Sequence, residues 1–421
     1  MAIEYLKRAQ PRPLSENRDL RDVVQTLLQG LEEKGEAEAE RLAKEFDGYS
    51  GPIIVSDEDR AKAADQLDDQ IKADIRFAHN NIRRFAEAQR ATIMDCEIEL
   101  MPGFRAGQKL IPVNSAGCYV PGGRYAHIAS AMMTITTAKA AGVPHIVAAS
   151  PTSRDFGGLH PAMIYTMDLC GADTILNLGG VQAVAAMAQG MYGLTPADII
   201  VGPGNQYVAE AKRMLFGHVG IDMMAGPTDV LIIADDSADP YTVAWDLVGQ
   251  AEHGYNSPVW LVTTSRALAE EVMRIVPDCI KDLPEVNATS ATLAWDDEAA
   301  VILCDTAAEM AQVSDDYAPE HLHVQADDLD WWLRRLKVYG SLFLGKDTTV
   351  AFGDKCTGPN HVLPTSKAAR YTGGLSVHKF LKIVTWQRTT PEGAKPIAEA
   401  TARISRLEGM EAHARTADLR R

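Results

Sequence analysis

The chain has 421 residues, 46% of them apolar and 23% charged, with 32 glycines, 21 prolines and no biased tract. That is an ordinary globular composition, in a chain long enough for two or more hydrophobic cores. A net charge of −16 opposes the clustered Lys and Arg surface that nucleic acid or anionic lipid requires, so neither is expected as a partner.

The six cysteines, Cys96, Cys118, Cys170, Cys279, Cys304 and Cys356, are scattered, with no CxxC and no disulfide-scaffold spacing. A reducing cytoplasm suits them. The N-terminus lacks a signal-peptide core and no long apolar run occurs anywhere, so a soluble, untargeted protein is expected.

Residues 19–45 and 56–91 have helix-forming composition with apolar residues at three-to-four spacing, as in Val23, Val24, Leu27, Leu28 and Leu31, and predict helices that bury one face. From about 93 the texture becomes short β-rich runs, CEIEL and QKLIPV, followed by the turn PGG at 121–123. Between 119 and 235 apolar runs alternate with helical stretches: HIVAAS, PAMIYTMDLC, TILNLGG, VQAVAAMAQG, DIIV, YVAEAKRMLFG, VLIIADD. This alternation predicts βαβ units and a parallel sheet with helices on its faces. A second series follows in VWLVTT, VILC, HLHVQ and GSLFLG. The expectation is an α/β fold of two Rossmann-like but incomplete parallel-sheet domains. Residues 1–25 are expected as an N-terminal arm, 26–118 with 230–369 as a discontinuous first domain, 119–229 as the second, and 370–421 as a C-terminal tail.

GPGNQYVAEAK at 202–212 follows a strand-like run and opens a helix-like one, where backbone amides can hold phosphate. Tyr207 stands where a GxGxxG fingerprint needs glycine, so the segment reads either as a phosphate-binding turn or as a tight strand-to-helix turn. Gln250 and His253 share one helical face at i, i+3 spacing. With Asp354 in GDKCTGPNHVLPT and His413 in EGMEAH they suit one zinc site, since zinc accepts imidazole nitrogen and carboxylate or amide oxygen. Taken alone, His253 also reads as a surface residue at a helix end. Glu320 and His321 in PEHL place a carboxylate beside an imidazole, which suits acid–base chemistry, though a solvated turn has the same composition. The Gly- and Pro-rich segment 353–365 predicts a loop of fixed shape carrying Asp354 and His361; Cys356 has no context that makes it reactive.

YVPGG, GPGNQYVAEAK, AGPTD, GQAEHG, APEHL, GDxxxGPNHVLPT and EGMEAH, in that order, resemble the histidinol dehydrogenase family over nearly the whole chain. The resemblance implies a zinc- and NAD-dependent oxidation of a primary alcohol through an aldehyde to a carboxylate, with two NAD used in succession. It implies Gln250, His253, Asp354 and His413 as ligands of one Zn2+ per subunit, with His413 supplied by the partner in an intertwined homodimer whose active site is shared. Tyr119, Gln182 and Asn205 fall on NAD-contacting positions, Thr228, His321 and Glu408 on substrate-contacting ones, and Glu320 and His321 on the acid–base pair.

Thr228-Asp229 in AGPTD, Lys355 after Asp354 and His127 after the PGG turn depart from the histidinol-oxidising pattern. With RYAHIASAMMTITTAK, VGQAEHGYNSPVWLVT, DLDWWLRRL and YTGGLSVHKFLKIVTWQ, they resemble the sulfopropanediol dehydrogenase branch of that family. That branch implies oxidation of the small anionic diol 2,3-dihydroxypropane-1-sulfonate, in its (R) form, to sulfolactate in sulfonate degradation. His127, Lys355 or both are then expected to neutralise the sulfonate. The alternatives are histidinol oxidation to histidine and, more remotely, a zinc or nucleotide-binding protein without redox chemistry.

Overall fold

A computed structural model describes residues 3–9, 18–122, 126–223 and 226–421. Residues 1–2 and 10–17 of the expected N-terminal arm, Gly123, Arg124 and Tyr125 of the PGG turn and its continuation, and Ala225 of AGPTD lie outside the described residues.

The expected α/β architecture is present. A five-stranded sheet has the order Thr174–Asn177, His145–Ser150, Ser115–Tyr119, Ile199–Val201, Gly220–Ile221, with every neighbouring pair parallel. Its strands are apolar nearly throughout because helices cover both faces. Helices Asp69–Ala91, Ile128–Ala141 and Pro161–Cys170 pack on one face, and Arg18–Lys34, Gly180–Gln189 and Gln206–Leu215 on the other. A six-stranded sheet has the order Glu4–Lys7, Ala300–Leu303, Val259–Thr263, Val230–Ala234, His321–Gln325, Ser341–Leu344. All its pairs are parallel except that of the N-terminal strand, which joins antiparallel at the edge.

Residues 26–118 touch 230–369, as where Asn81 Nδ2 donates to the Cys356 carbonyl at 2.9 Å, but their helices pack mainly elsewhere. The first helix lies on helices Gly180–Gln189 and Gln206–Leu215, and Asp69–Ala91 on Ile128–Ala141, so both belong with the five-stranded sheet. Strand Ser115–Tyr119 runs through the middle of that sheet, across the boundary expected at 119. An apolar stripe shows that a helix buries a face, not which sheet receives it. CEIEL and the run from Phe104 to Pro112 form a separate three-stranded antiparallel sheet with Leu381–Thr389, far along the chain. Helices Pro391–Leu407 and Glu411–Asp418 follow and pack mainly on each other, around Ala398, Ala402, Ala414 and Ala417.

In both large sheets the chain builds outward from one strand and then returns to that strand's other side. This switch falls between Ser115–Tyr119 and Ile199–Val201 in one and between Val230–Ala234 and His321–Gln325 in the other. Crevices beyond the carboxyl ends at such points are where open α/β sheets hold ligands. Among the described residues no helix is long and apolar enough to cross a membrane.

Candidate active site and metal centre

Tyr119 ends its strand at the first switch point, and Gly202, which follows Ile199–Val201, crosses beside it. Gly202 has φ of 110°, and a Cβ there would stand 1.9 Å from the Tyr119 carbonyl oxygen, so this turn admits only glycine. Lys212 and Asp222, an ion pair with both side chains buried, grip both backbone groups of Gly202: Lys212 Nζ donates to its carbonyl at 2.9 Å and its N–H donates to Asp222 Oδ2 at 2.7 Å. Asn205 caps helix Gln206–Leu215, its Oδ1 accepting from the N–H groups of Tyr207 and Val208 at 3.0 and 3.1 Å. Those two amides are therefore already satisfied by the chain. The Tyr119 hydroxyl accepts from the Gly180 N–H at 3.1 Å, and Gln182, on the helix begun by Gly180, is buried. Tyr119, Asn205 and Gln182 thus frame one end of one sheet.

The acid–base candidates lie at the opposite kind of edge, the amino ends of the strands at the second switch point. His321 pairs in register with Val230, which puts Glu320 beside Asp229. Helix Pro240–Ala251 begins at Asp239, whose carboxylate caps the Thr242 N–H at 2.9 Å, with Pro240 at its first position. Because it links parallel strands it must return toward their amino ends, and it delivers Gln250 and His253 to the same edge. Gln250 Nε2 donates to Thr228 Oγ1 at 2.5 Å. Asp354, on the short helix Val350–Lys355, stands with Oδ2 4.0 Å from His253 Nε2 and Oδ1 3.6 Å from His321 Nε2. His361 ties this loop down, with Nδ1 2.8 Å from the Asp354 carbonyl and Nε2 3.1 Å from Ser130 Oγ.

His321 is buried. Its Nδ1 lies 2.9 Å from the Asp229 carbonyl oxygen, a contact that requires the proton on Nδ1. Its Nε2 has no hydrogen-bond partner among the described residues and lies on the wall of a cavity of about 320 Å³ that Asp354, His361, Phe343, Asn360 and Leu363 also line. Burial alone would lower the pKa of this imidazole, but the carboxylates of Glu320 and Asp354 outweigh it and bring it up to about 9. Burial raises Glu320, whereas for Asp354 burial is overcome by the adjoining His321 ring and the other nearby positive groups, which hold the carboxyl well below its usual range.

Sequence reading noted Asp229 only as a departure from the histidinol-oxidising pattern, not as a partner of Glu320. Its Oδ1 accepts from the Glu320 N–H at 2.7 Å while its own N–H donates to Glu320 Oε2 at 3.1 Å, so it fixes the orientation of the Glu320 carboxylate. Sequence reading missed His323 and Gln325, although H-x-H-x-Q at strand period puts both on the face of His321.

Lys355 and His127 are exposed and come to this edge. Partial desolvation, then the charges of Lys355 and His253, lower the pKa of His127. His127 starts helix Ile128–Ala141 without capping it, so its ring is not committed to the backbone.

Two predicted residues are not brought in by the chain itself. Glu408 ends helix Pro391–Leu407 and His413 lies on Glu411–Asp418; both are exposed, and no hydrogen bond or ion pair among the described residues joins them to His253, Asp354 or His321. Among the described residues no three His, Cys, Asp or Glu side chains gather as a metal cage. The donors at this edge are His253 nitrogen and Asp354 oxygen, 4.0 Å apart, and the amide of Gln250, whose nitrogen bonds Thr228 so that its carbonyl oxygen is the atom left for a metal. Nitrogen and oxygen donors of this kind fit zinc, with a further ligand needed from outside this set.

The family model described as histidinol dehydrogenase matches residues 10–421. A histidinol dehydrogenase homolog of Ruegeria pomeroyi is 64% identical over 420 residues, covering 100% of this chain and 97% of that protein. The sulfopropanediol 3-dehydrogenase of the same organism is 62% identical over 420 residues, covering 100% of this chain and 96% of that protein. The crystal structure of histidinol dehydrogenase from Elizabethkingia anophelis superposes with a TM-score of 0.91 at 32% identity, over 97% of this chain and 94% of that one. With the family model spanning almost its whole length and these relatives matching it end to end, the chain belongs to the histidinol dehydrogenase family.

Proposed function

We propose that the chain oxidises (R)-2,3-dihydroxypropane-1-sulfonate to sulfolactate, through the aldehyde, with two NAD and one zinc ion per subunit. The observation that carries the redox reading is His321, a buried imidazole with Nδ1 engaged by the Asp229 carbonyl and Nε2 unpartnered on the cavity wall. Zinc, held by Gln250, His253 and Asp354, would orient the substrate, and NAD at the Tyr119, Gln182 and Asn205 edge would accept hydride. His321 Nε2 takes the proton of the reacting hydroxyl. Its high pKa is set in part by Asp354, and a cation bound to that carboxylate would weaken the pull and return His321 toward a neutral base. Glu320, buried and raised, takes a proton from the water that adds to the aldehyde, and Asp229 keeps its carboxylate aligned. Thr228 positions Gln250, Lys355 supplies positive charge for a sulfonate, and His127, whose pKa is lowered, offers a ring N–H beside it.

An intertwined homodimer is part of the proposal. Ile98, Leu100 and Ile383 of the three-stranded sheet and Leu407 and Leu419 of the C-terminal segment are 57%, 58%, 63%, 89% and 84% exposed, apolar side chains that suit burial against a second copy. The partner's tail would then bring a His413 and a Glu408 to each site, supplying the ligand the single chain lacks.

The 62% identity to a sulfopropanediol 3-dehydrogenase supports the anionic diol, and the 32% match to a histidinol dehydrogenase crystal structure keeps histidinol as the second reading. NADH formation by zinc-loaded protein separates them. Turnover of the diol sulfonate with two NADH per molecule is expected; turnover of histidinol alone overturns the anionic reading, and no NADH with either substrate overturns both.

A further inference from the structure

Gln250, His321 and Asp354 stand on helix Pro240–Ala251, strand His321–Gln325 and helix Val350–Lys355, and one carboxylate on the first of these bonds to the strand and to the start of the second helix. Asp246 lies one helical turn before Gln250, on the same helical face. Its Oδ1 accepts from Thr349 Oγ1 at 2.8 Å, and Thr349 is the residue from which helix Val350–Lys355 starts. Its Oδ2 accepts from Gln325 Nε2 at 2.7 Å and lies 3.4 Å from His323 Nδ1. His323 and Gln325 share their strand face with His321, and His323 Nε2 reaches the Gly345 carbonyl at 3.0 Å. The rings of His321 and His323 stand 6.2 and 6.3 Å from that of Phe343, so one aromatic side chain separates this network from the catalytic imidazole.

Desolvating a carboxylate is costly, and apolar packing can join buried elements at least as strongly. What hydrogen bonds add is direction, and here they run from the helix that carries Gln250 to the strand that carries His321 and to the start of the helix that carries Asp354. We propose that Asp246 is a positioning residue which fixes the mutual placement of Gln250, His321 and Asp354. The inference rests on the metal reading above. Supports behind metal ligands act on affinity as well as on rate, and a misplaced catalytic group acts on kcat.

The test uses the full chain with Asp246→Ala, Asp246→Asn and Thr349→Val. Zinc affinity is measured by chelator competition, kcat by NADH formation with zinc and NAD saturating, NAD affinity by direct titration, and folding by thermal melting. Asp246→Ala is expected to weaken zinc binding by roughly 10–100-fold and to lower kcat by about 10²-fold. NAD affinity should hold, because Tyr119 and Gly202 belong to the other sheet. Asp246→Asn keeps an acceptor for Thr349 and an amide toward Gln325 and His323, and should restore most of both losses. A lowered melting temperature with zinc affinity and kcat unchanged in the folded protein means mere structural support and overturns the inference. If Asp246→Ala does not fold, Thr349→Val decides, since it removes one bond: a measurable loss of zinc affinity is required, and unchanged affinity overturns the inference. A parent chain that takes up no zinc overturns the metal reading and the inference with it, whereas a zinc-binding parent with unaltered variants overturns the inference alone.

Discussion

Asp229 and Glu320 hold each other reciprocally, each carboxylate accepting a hydrogen bond from the other's main-chain N–H, at 2.7 and 3.1 Å. Both are buried, and two such close carboxylates resist joint ionisation. Burial, then the charge of Glu320, pushes Asp229 from 3.8 up to about 8. A folded value above the unfolded one means that this group's stabilisation is complete below about pH 4 and is lost as pH rises through the folded value near 8. Asp229→Asn removes that dependence. Compared by urea titration between about pH 5 and about pH 8, the parent's stability relative to the variant should fall with rising pH, by up to ~1.4 kcal/mol per unit. A difference that stays constant across this range refutes the shared-proton account.

The sheets were legible because parallel strands covered on both faces are continuous apolar runs, as VLIIA and HIVAA are. The destination of residues 26–118 was not, because helix Arg18–Lys34 shows an apolar stripe that any sheet could bury. His253 and Asp354 do meet, at 4.0 Å, as their residue types suggested. Asp229 stood out only as a motif departure because its role depends on register: only the pairing of His321 with Val230 sets it against Glu320. Asp246 escaped notice because nothing local distinguishes it from any other helix carboxylate. His413 was singled out by a motif, and the fold of one chain leaves it exposed, with no hydrogen bond or ion pair to His253 among the described residues.

His321 and Glu320 should separate the two oxidations. His321→Asn removes the proton acceptor for the alcohol, and turnover should drop by about 10²–10⁴-fold with zinc affinity retained. Glu320→Gln leaves the first step its base but deprives the second of water activation, so aldehyde should accumulate and the NADH yield should move from two per diol toward one. Trapping the aldehyde with a hydrazine and counting NADH checks this. Equal loss of both steps in Glu320→Gln contradicts the division of labour.

Gly202→Ala should damage the cofactor edge and spare the metal. A Cβ 1.9 Å from the Tyr119 carbonyl oxygen cannot be accommodated without moving one strand end against the other. With φ of 110° the backbone strain adds roughly 1–3 kcal/mol. Isothermal titration should show weakened NAD binding with zinc uptake unchanged. Undiminished NAD affinity would place the cofactor away from this turn.

The shared site makes a prediction in trans. His413→Ala and His321→Ala homodimers should each be nearly inactive, one lacking a metal ligand and the other the base. After verified subunit exchange, a heterodimer has one site with both lesions and one with neither, so activity should return to half that of the parent per mixed dimer. No recovery in mixed dimers means that His413 serves its own chain or no site at all.

Lys355 and His127 should govern which substrate is accepted. Lys355 acts on His127, His253 and Asp354 from the rim of the site, and an exposed ammonium there attracts an anion and repels the cationic amino alcohol histidinol. Lys355→Ala should raise KM for the diol sulfonate, with kcat changed less, because the lost interaction is present in the ground state as well as the transition state. Added salt should raise the parent's KM more than the variant's, since screening weakens only a charge that is there. His127→Ala should add to the effect if both groups hold the sulfonate. A Lys355→Ala enzyme with unchanged KM and unchanged salt response would leave the anion to groups other than this pair, and would weaken the case for a sulfonate in this pocket.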